Sequence, residues 1–179
     1  MGTKGEFQAA APLLIGGAMR HFGCLPYNLQ STPLTAATRS PPAPRSAFRR
    51  FVGLSPRWKD LDALGHVNNA EIYGYFDTAI VRLLLEASAF DLQDSAFMPM
   101  LAESAARFHA EVRFADLLEV GITVETVGTS SVRYRVGLFR ADSDPAVSDG
   151  FFVHVFVDRK TRRPAPIQRH LRVALESLQ

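Results

Sequence analysis

The chain has 179 residues, with 20 Lys and Arg against 18 Asp and Glu, a formal net charge of +2. So small a charge argues against nucleic acid or an anionic membrane surface as partner, and no apolar run approaches the ~18 residues that a membrane span needs. Hydrophobic residues make up 47%, as expected of one globular domain. Cys24 is the only cysteine, so no internal disulfide forms. That suits a reducing compartment and a cytoplasmic location.

Residues 1–46 differ from the rest. Glu6 is their only acid, against Lys4, Arg20, Arg39 and Arg45. Residues 30–46 are rich in Ala, Pro, Ser and Thr, a composition that opposes regular structure. The segment reads as a disordered extension ahead of a domain at 47–179. An acid-poor, Arg-bearing, Ser/Ala-rich leader also resembles an organelle transit peptide, which would make the location organellar. A tag, or a start codon upstream of the true start at Met19, gives the same composition.

Residues 48–58 read as a strand, with Pro56 tolerable at an edge or bulge. Residues 57–77 follow, reading RWKDLDALGHVNNAEIYGYFD. If the strand runs on through Asp60 and Asp62, both carboxylates point to one face. Gly65 supplies a turn, since glycine takes positive φ without steric cost. Tyr73, Phe76, Ile80, Leu83, Leu84 and Ala87 then recur at spacings of three and four, which predicts a helix over 69–87 with one buried face. Asn68 is its N-cap, with Glu71 three residues later in a capping-box arrangement. If Asn68 satisfies the Glu71 N–H, those of Asn69 and Ala70 stay free at the positive end of the helix dipole. Such groups hold anions or a developing oxyanion, and an upstream carboxylate serves as base or nucleophile. On residue types alone, turn-forming aspartates and a plain asparagine cap account for the same stretch.

Residues 91–96 form a connection. Within 98–114, the alanines and Glu103 suit a helix, while the 106–114 alternation predicts a strand. Residues 120–127 and 131–140 form a hairpin around Gly128-Thr129. Residues 141–145 make a polar turn, and 147–157 are a near-continuous apolar run, hence a central strand buried on both faces. Pro164 and Pro166 end it, and 168–178 form a short terminal helix. One long helix followed by a meander of strands is an α+β plan, the helix laid on an antiparallel sheet. A single sheet around one helix leaves a face and an edge for a partner.

The string DLDALGHVNN resembles the D-x-D-x-x-G-H-V-N-N signature of the hot-dog-fold acyl-CoA thioesterases, in the 4-hydroxybenzoyl-CoA thioesterase-like superfamily. The resemblance runs over residues 48–179, through the GTSS turn and FFVHVFVDRKTRRPAPI. It implies a hot-dog fold, hydrolysis of an acyl-CoA to free acid and CoA, and a homodimer or homotetramer whose active sites lie at the dimer interface. Asp62 matches the family's catalytic carboxylate, as nucleophile or base for water. Asn69 falls where a backbone N–H polarises the thioester oxygen, with Gly65 and His66 in the loop beside it and Asn68 and Tyr73 near the substrate. His66 orients Asp62 or the water, or packs the loop; Asp60 fixes the loop; Asp77 is a secondary candidate carboxylate. Ser130 and Ser131 of the partner match the strand beside the pantetheine arm. The family's basic residues are missing from this turn, which leaves Arg133, Arg135, Arg159 or Lys160 for the nucleotide phosphates and keeps an acyl carrier protein substrate open. The resemblance implies no metal and no cofactor beyond the substrate's own coenzyme A.

There is no G-x-S-x-G elbow and no phosphate-cradling glycine loop. His21, His66, His109, His154 and His170 lack metal-ligand spacing. His154 reads as a core histidine, and His109 as a residue in the strand facing the helix. A hot-dog hydratase or dehydratase, or a non-catalytic acyl-thioester-binding module, are the rival readings.

Overall fold

The computed structural model describes residues 40–87, 91, 95–141 and 143–179. The transit-peptide, Met19 and Cys24 readings lie outside the described residues. Five strands, β1 (Arg50–Leu54), β2 (Phe97–Phe108), β3 (Leu118–Val127), β4 (Ser131–Arg140) and β5 (Ser148–Asp158), accompany two helices, α1 (Asn69–Glu86) and α2 (Arg169–Glu176). The sheet is antiparallel with order β1-β3-β4-β5-β2, so β1 and β2 are its edges. Helix α1 lies on one face: an α+β, hot-dog arrangement.

Helix α1 forms where the apolar period predicts it. Ile72, Tyr75, Phe76, Ala79, Ile80, Leu83 and Leu84 are buried on one stripe, while Tyr73 and Ala87 sit half-buried at its margins. Each large side chain fully buried there contributes roughly 1.5–3 kcal/mol of transfer free energy. Phe76 meets Phe152 of β5 edge-on, with ring centroids 5.9 Å apart. The short α2 buries Leu171 and Leu175.

Three element expectations change. The predicted first strand stops at Leu54, and Trp58–Asp60 is a 3-10 turn. The alternation at 106–114 predicts a strand there, but β2 ends at Phe108 and begins at Phe97. A register shift between Leu101 and Glu103 breaks its pattern, and as an edge strand it leaves Leu101 and Phe108 exposed. Finally, β5 is central but buried on one face only. Phe152, His154 and Phe156 are buried, while Phe151, Val153 and Val155 are half-exposed on the other face. With α1 covering one face, a run apolar on both reads like a doubly buried strand.

The segment from Ser40 to Ser46, grouped with the extension on composition, packs on the sheet. The Ala43 N–H donates to buried Asp149 at 3.1 Å, and the Ala43 carbonyl accepts from the Ala146 N–H. Arg45 pairs with Glu119, and its N–H donates to Asp144. Phe48 lies over Gly121 and Gly137, where an added Cβ would come within 2.8 and 2.6 Å of the ring. Only glycine lets a ring approach that closely.

Candidate active site

The site is built from the loop between the 3-10 turn and α1. Asp60 is fully buried. Its carboxylate accepts from the Tyr75 hydroxyl at 2.6 Å, from the Arg57 N–H at 2.8 Å, and from the Arg57 guanidinium. Burial by itself pushes this carboxyl up; the bonds from Tyr75 and Arg57 outweigh it and bring it down from 3.8 to about 2. Burial and the same bond push the Tyr75 hydroxyl well above its ordinary value. The Asp60 carbonyl accepts from the Asn68 N–H at 2.8 Å. Asp60 therefore ties three parts of the chain together and fixes the start of α1.

The two aspartates do not share a face, because the 3-10 turn intervenes between Asp60 and the expected strand. Asp60 points into the core. Asp62 is half-buried and turns back over its own loop, where Oδ1 accepts from the N–H groups of Leu64 at 2.8 Å and His66 at 3.3 Å. Two backbone bonds, Asp62 N–H to the His66 carbonyl and Gly65 N–H to the Asp62 carbonyl, close the loop. Gly65 turns it at φ 81°, a value that L side chains rarely adopt. His66 bears on Asp62 through its backbone N–H. Its ring instead meets Glu111, Nε2 to Oε2 3.0 Å.

The cap lacks both bonds of the capping box. Asn68 is the N-cap, but Oδ1 accepts from the Ala70 N–H at 2.9 Å, and the Glu71 N–H bonds to the Asn68 carbonyl. Glu71 reaches Arg57 rather than the Asn68 N–H, which Asp60 already takes. Ala70 is thus not free. The Asn69 N–H has no hydrogen-bond partner among the described residues. Asn69 lines a cleft of about 350 Å³ together with Asp62, His66, Phe108 and Glu111. Asp62, whose carboxylate is held by backbone donors, and Asn69, whose first-turn N–H is unpaired, thus line one cleft, which is the minimum equipment for acyl transfer.

A family model described as the thioesterase-like superfamily matches residues 56–175. The chain belongs to the thioesterase-like superfamily. Thioester hydrolysis is the reaction class that membership carries. The chain is 39% identical to the PA5185 protein of Pseudomonas aeruginosa, over 78% of this chain and 97% of that one, with a TM-score of 0.76. A thioesterase from Thermus thermophilus, solved with coenzyme A and zinc, is 27% identical over 73% of this chain and 95% of its own, at TM-score 0.61. A 1,4-dihydroxy-2-naphthoyl-CoA thioesterase from Synechocystis, 19% identical over 72% and 96% at TM-score 0.65, shares the fold. No curated protein matches the chain significantly.

The other predicted residues of this thioesterase fall as follows. Tyr73 is not among the residues that line the Asp62 cleft; its ring lies 6.4 Å from that of Phe108, which does, and 6.1 Å from Phe152. His109 lines the cleft, but its Nε2 is spoken for by Asp149 at 2.8 Å. Asp77 is half-exposed and 3.5 Å from Nε2 of His154, which is buried as expected of a core histidine. The Nδ1 of His154 and the hydroxyl of neighbouring Tyr134 are buried without a hydrogen-bond partner among the described residues. Ser130 and Ser131 turn the β3-β4 hairpin, away from Asp62. Ser131 pairs with Val155 and Phe108 with Ser148, seven positions apart along β5 (148 to 155). At ~3.3 Å per residue, that is roughly 20 Å. Arg133 pairs with Glu125 and lies 3.5 Å over the Phe151 ring, on the sheet face opposite α1. Glu111 and Phe108 also line the cleft, and no local signal in the sequence links them to a loop some forty residues upstream. Among the described residues no group of three or more His, Cys, Asp or Glu has the geometry to hold a metal ion, and no helix is long and apolar enough to cross a membrane.

Proposed function

We propose that the chain is an acyl-CoA thioesterase in which Asp62 drives hydrolysis and the Asn69 N–H holds the oxyanion. The observation that carries the reading is that this carboxylate and this unpaired N–H line one cleft, in a chain matched to thioesterases over residues 56–175. The Asp62 carboxylate attacks the thioester carbonyl, or takes a proton from the water that does. The carbonyl oxygen becomes an oxyanion beside the Asn69 N–H, at the positive end of α1. Collapse of the intermediate breaks the C–S bond and expels the CoA thiolate. On the base route this leaves the free acid. On the nucleophilic route it leaves an acyl anhydride on Asp62, which a water then hydrolyses to the acid and the regenerated carboxylate. A thiol of ordinary pKa, about 8.5, leaves without a strong acid. Gly65 and the His66 N–H hold Asp62 in place. The His66 ring, seated on Glu111, orients the water. Asn68 shapes the entrance through its cap, and Tyr73 with Phe108 flanks the acyl group. This chemistry needs no metal.

The active unit is a homodimer or a dimer of dimers. Two features support this: β2 is an open edge carrying exposed Met100, Leu101 and Phe108, and Ser130 and Ser131 stand too far from the Asp62 of their own protomer to serve it. A second copy brings Ser130, Ser131 and Arg133 to the pantetheine and phosphates.

A panel of acyl-CoA and acyl-carrier-protein thioesters, assayed for free thiol, tests the proposal. Thiol release from CoA thioesters supports it. Hydration of an enoyl-CoA without thiol release, or binding without turnover, would replace it with the hydratase or the binding module. Turnover of carrier-protein thioesters alone would move the substrate assignment.

A further inference from the structure

A second cleft, of about 690 Å³ against about 350 Å³ for the one beside Asp62, opens between the β1 edge and α1. Arg57 and Arg82 are its charged lining residues, and no acid lines it. Arg82 has no carboxylate partner among the described residues; its Nη1 donates to the Gly53 carbonyl, which leaves its other donors for a ligand. Ser55 and Thr78 add hydroxyls, and Leu54 and Leu117 add apolar wall. Two glycines keep the space open. Gly53 in β1 and Gly74 in the interior of α1 both line it, and a Cβ built on either meets no atom within 4 Å. Neither has the positive φ that would demand glycine. Glycine is a poor helix former, so a helix-interior Gly74 with no steric or backbone reason is accounted for by the space it leaves.

We propose that this cleft binds a small organic carboxylate with an apolar body. The Arg82 guanidinium takes the carboxylate, since Arg57 is already bonded to Asp60 and Glu71, and the leucines and the glycines take the hydrocarbon. The size suits a small-molecule ligand. On the reading of the chain as a thioesterase, this is also the chemistry of the acid it releases. The cleft shares Arg57 and Tyr75 with the Asp60 cluster but not Asp62.

Octanoate titrated into the full-length protein by calorimetry tests this. Saturable binding is expected, with none of octylammonium, whose head group has the wrong sign. Arg82→Gln weakens octanoate at least about tenfold, the worth of a charge-assisted bond. Gly74→Leu fills the space and abolishes binding, while Asp62→Asn leaves it intact. Melting curves establish that the variants fold, and the exposed Arg82→Gln serves alone if Gly74→Leu does not. Absence of octanoate binding, or binding that ignores Arg82→Gln and disappears in Asp62→Asn, overturns the proposal. The readout is binding, not turnover, so a chain lacking hydrolase activity would still bind octanoate and the two readings fail separately.

Discussion

The Tyr75 hydroxyl of α1 donates to the fully buried Asp60 carboxylate at 2.6 Å. The bond joins the second helical turn to the loop that presents Asp62, and through the Asp60 carbonyl it reaches the Asn68 cap. Tyr75→Phe removes one charge-assisted bond and should cost about 1.5–3 kcal/mol. Denaturant unfolding measures it. Activity should fall as well, because the Asp62 loop loses an anchor; a variant as stable and as active as the parent would remove Asp60 from this role.

The same carboxylate sets an acid limit. Its pKa is depressed to about 2 in the fold, against roughly 3.9 unfolded. The stability this gives is complete above about pH 5 and drains away as pH falls toward about 2, since the unfolded chain takes up the proton first. Melting temperature should therefore drop across that interval. Asp60→Asn should lie below the parent at neutral pH and show a flatter acid limb. Parallel curves for the two proteins would assign the acid limb to other carboxylates.

Deletion of residues 1–39 should leave the melting temperature nearly unchanged. Extending the deletion through Ser46 removes the Ala43 and Arg45 bonds to Asp149, Asp144 and Glu119. A loss on the order of 2 kcal/mol, a few hydrogen bonds' worth, lowers the melting temperature by about 5–10 °C in a domain of this size. Calorimetry of the two truncations compares them directly.

The long-period features were legible in the sequence and the local chemistry only in part. The stripe of α1 and the β3-β4 hairpin announce themselves because burial and turn geometry there are set by neighbours in the chain. Gly65 was legible for the same reason. The division of labour between Asp60 and Asp62 was not: it rests on a 3-10 turn and on Tyr75, fifteen residues away. The capping-box pattern points the Asn68 side chain at the Glu71 N–H, one residue beyond the Ala70 N–H that it takes, and the Asn68 N–H goes to the Asp60 carbonyl rather than to the Glu71 side chain. Strand β2 was hidden because an exposed edge with a register shift loses its alternation. Glu111 as the seat of His66 is a tertiary fact that no local pattern carries.

If each site is shared between protomers, two inactive variants should rescue each other. Asp62→Asn and the double variant Ser130→Ala, Ser131→Ala each disable every site in their own homodimer. Subunits mixed under exchange conditions pair one intact Asp62 loop with one intact hairpin and should regain thiol release. Light scattering that shows an active monomer, or no recovery despite proven exchange, counts against the shared site.

The most direct measurement is steady-state hydrolysis by Asp62→Asn beside Asp60→Asn and Asp77→Asn. The amide keeps the shape of the side chain and removes its charge, while the Asn69 N–H remains to hold the thioester. Turnover should fall by at least about 10²–10⁴-fold with KM little changed, and Asp77→Asn should stay near the parent. If Asp62→Asn retains more than about a tenth of parental kcat, a loss far smaller than removing a catalytic base costs, while Asp77→Asn is the inactive variant, the working carboxylate lies on the helix and the assignment to Asp62 is wrong.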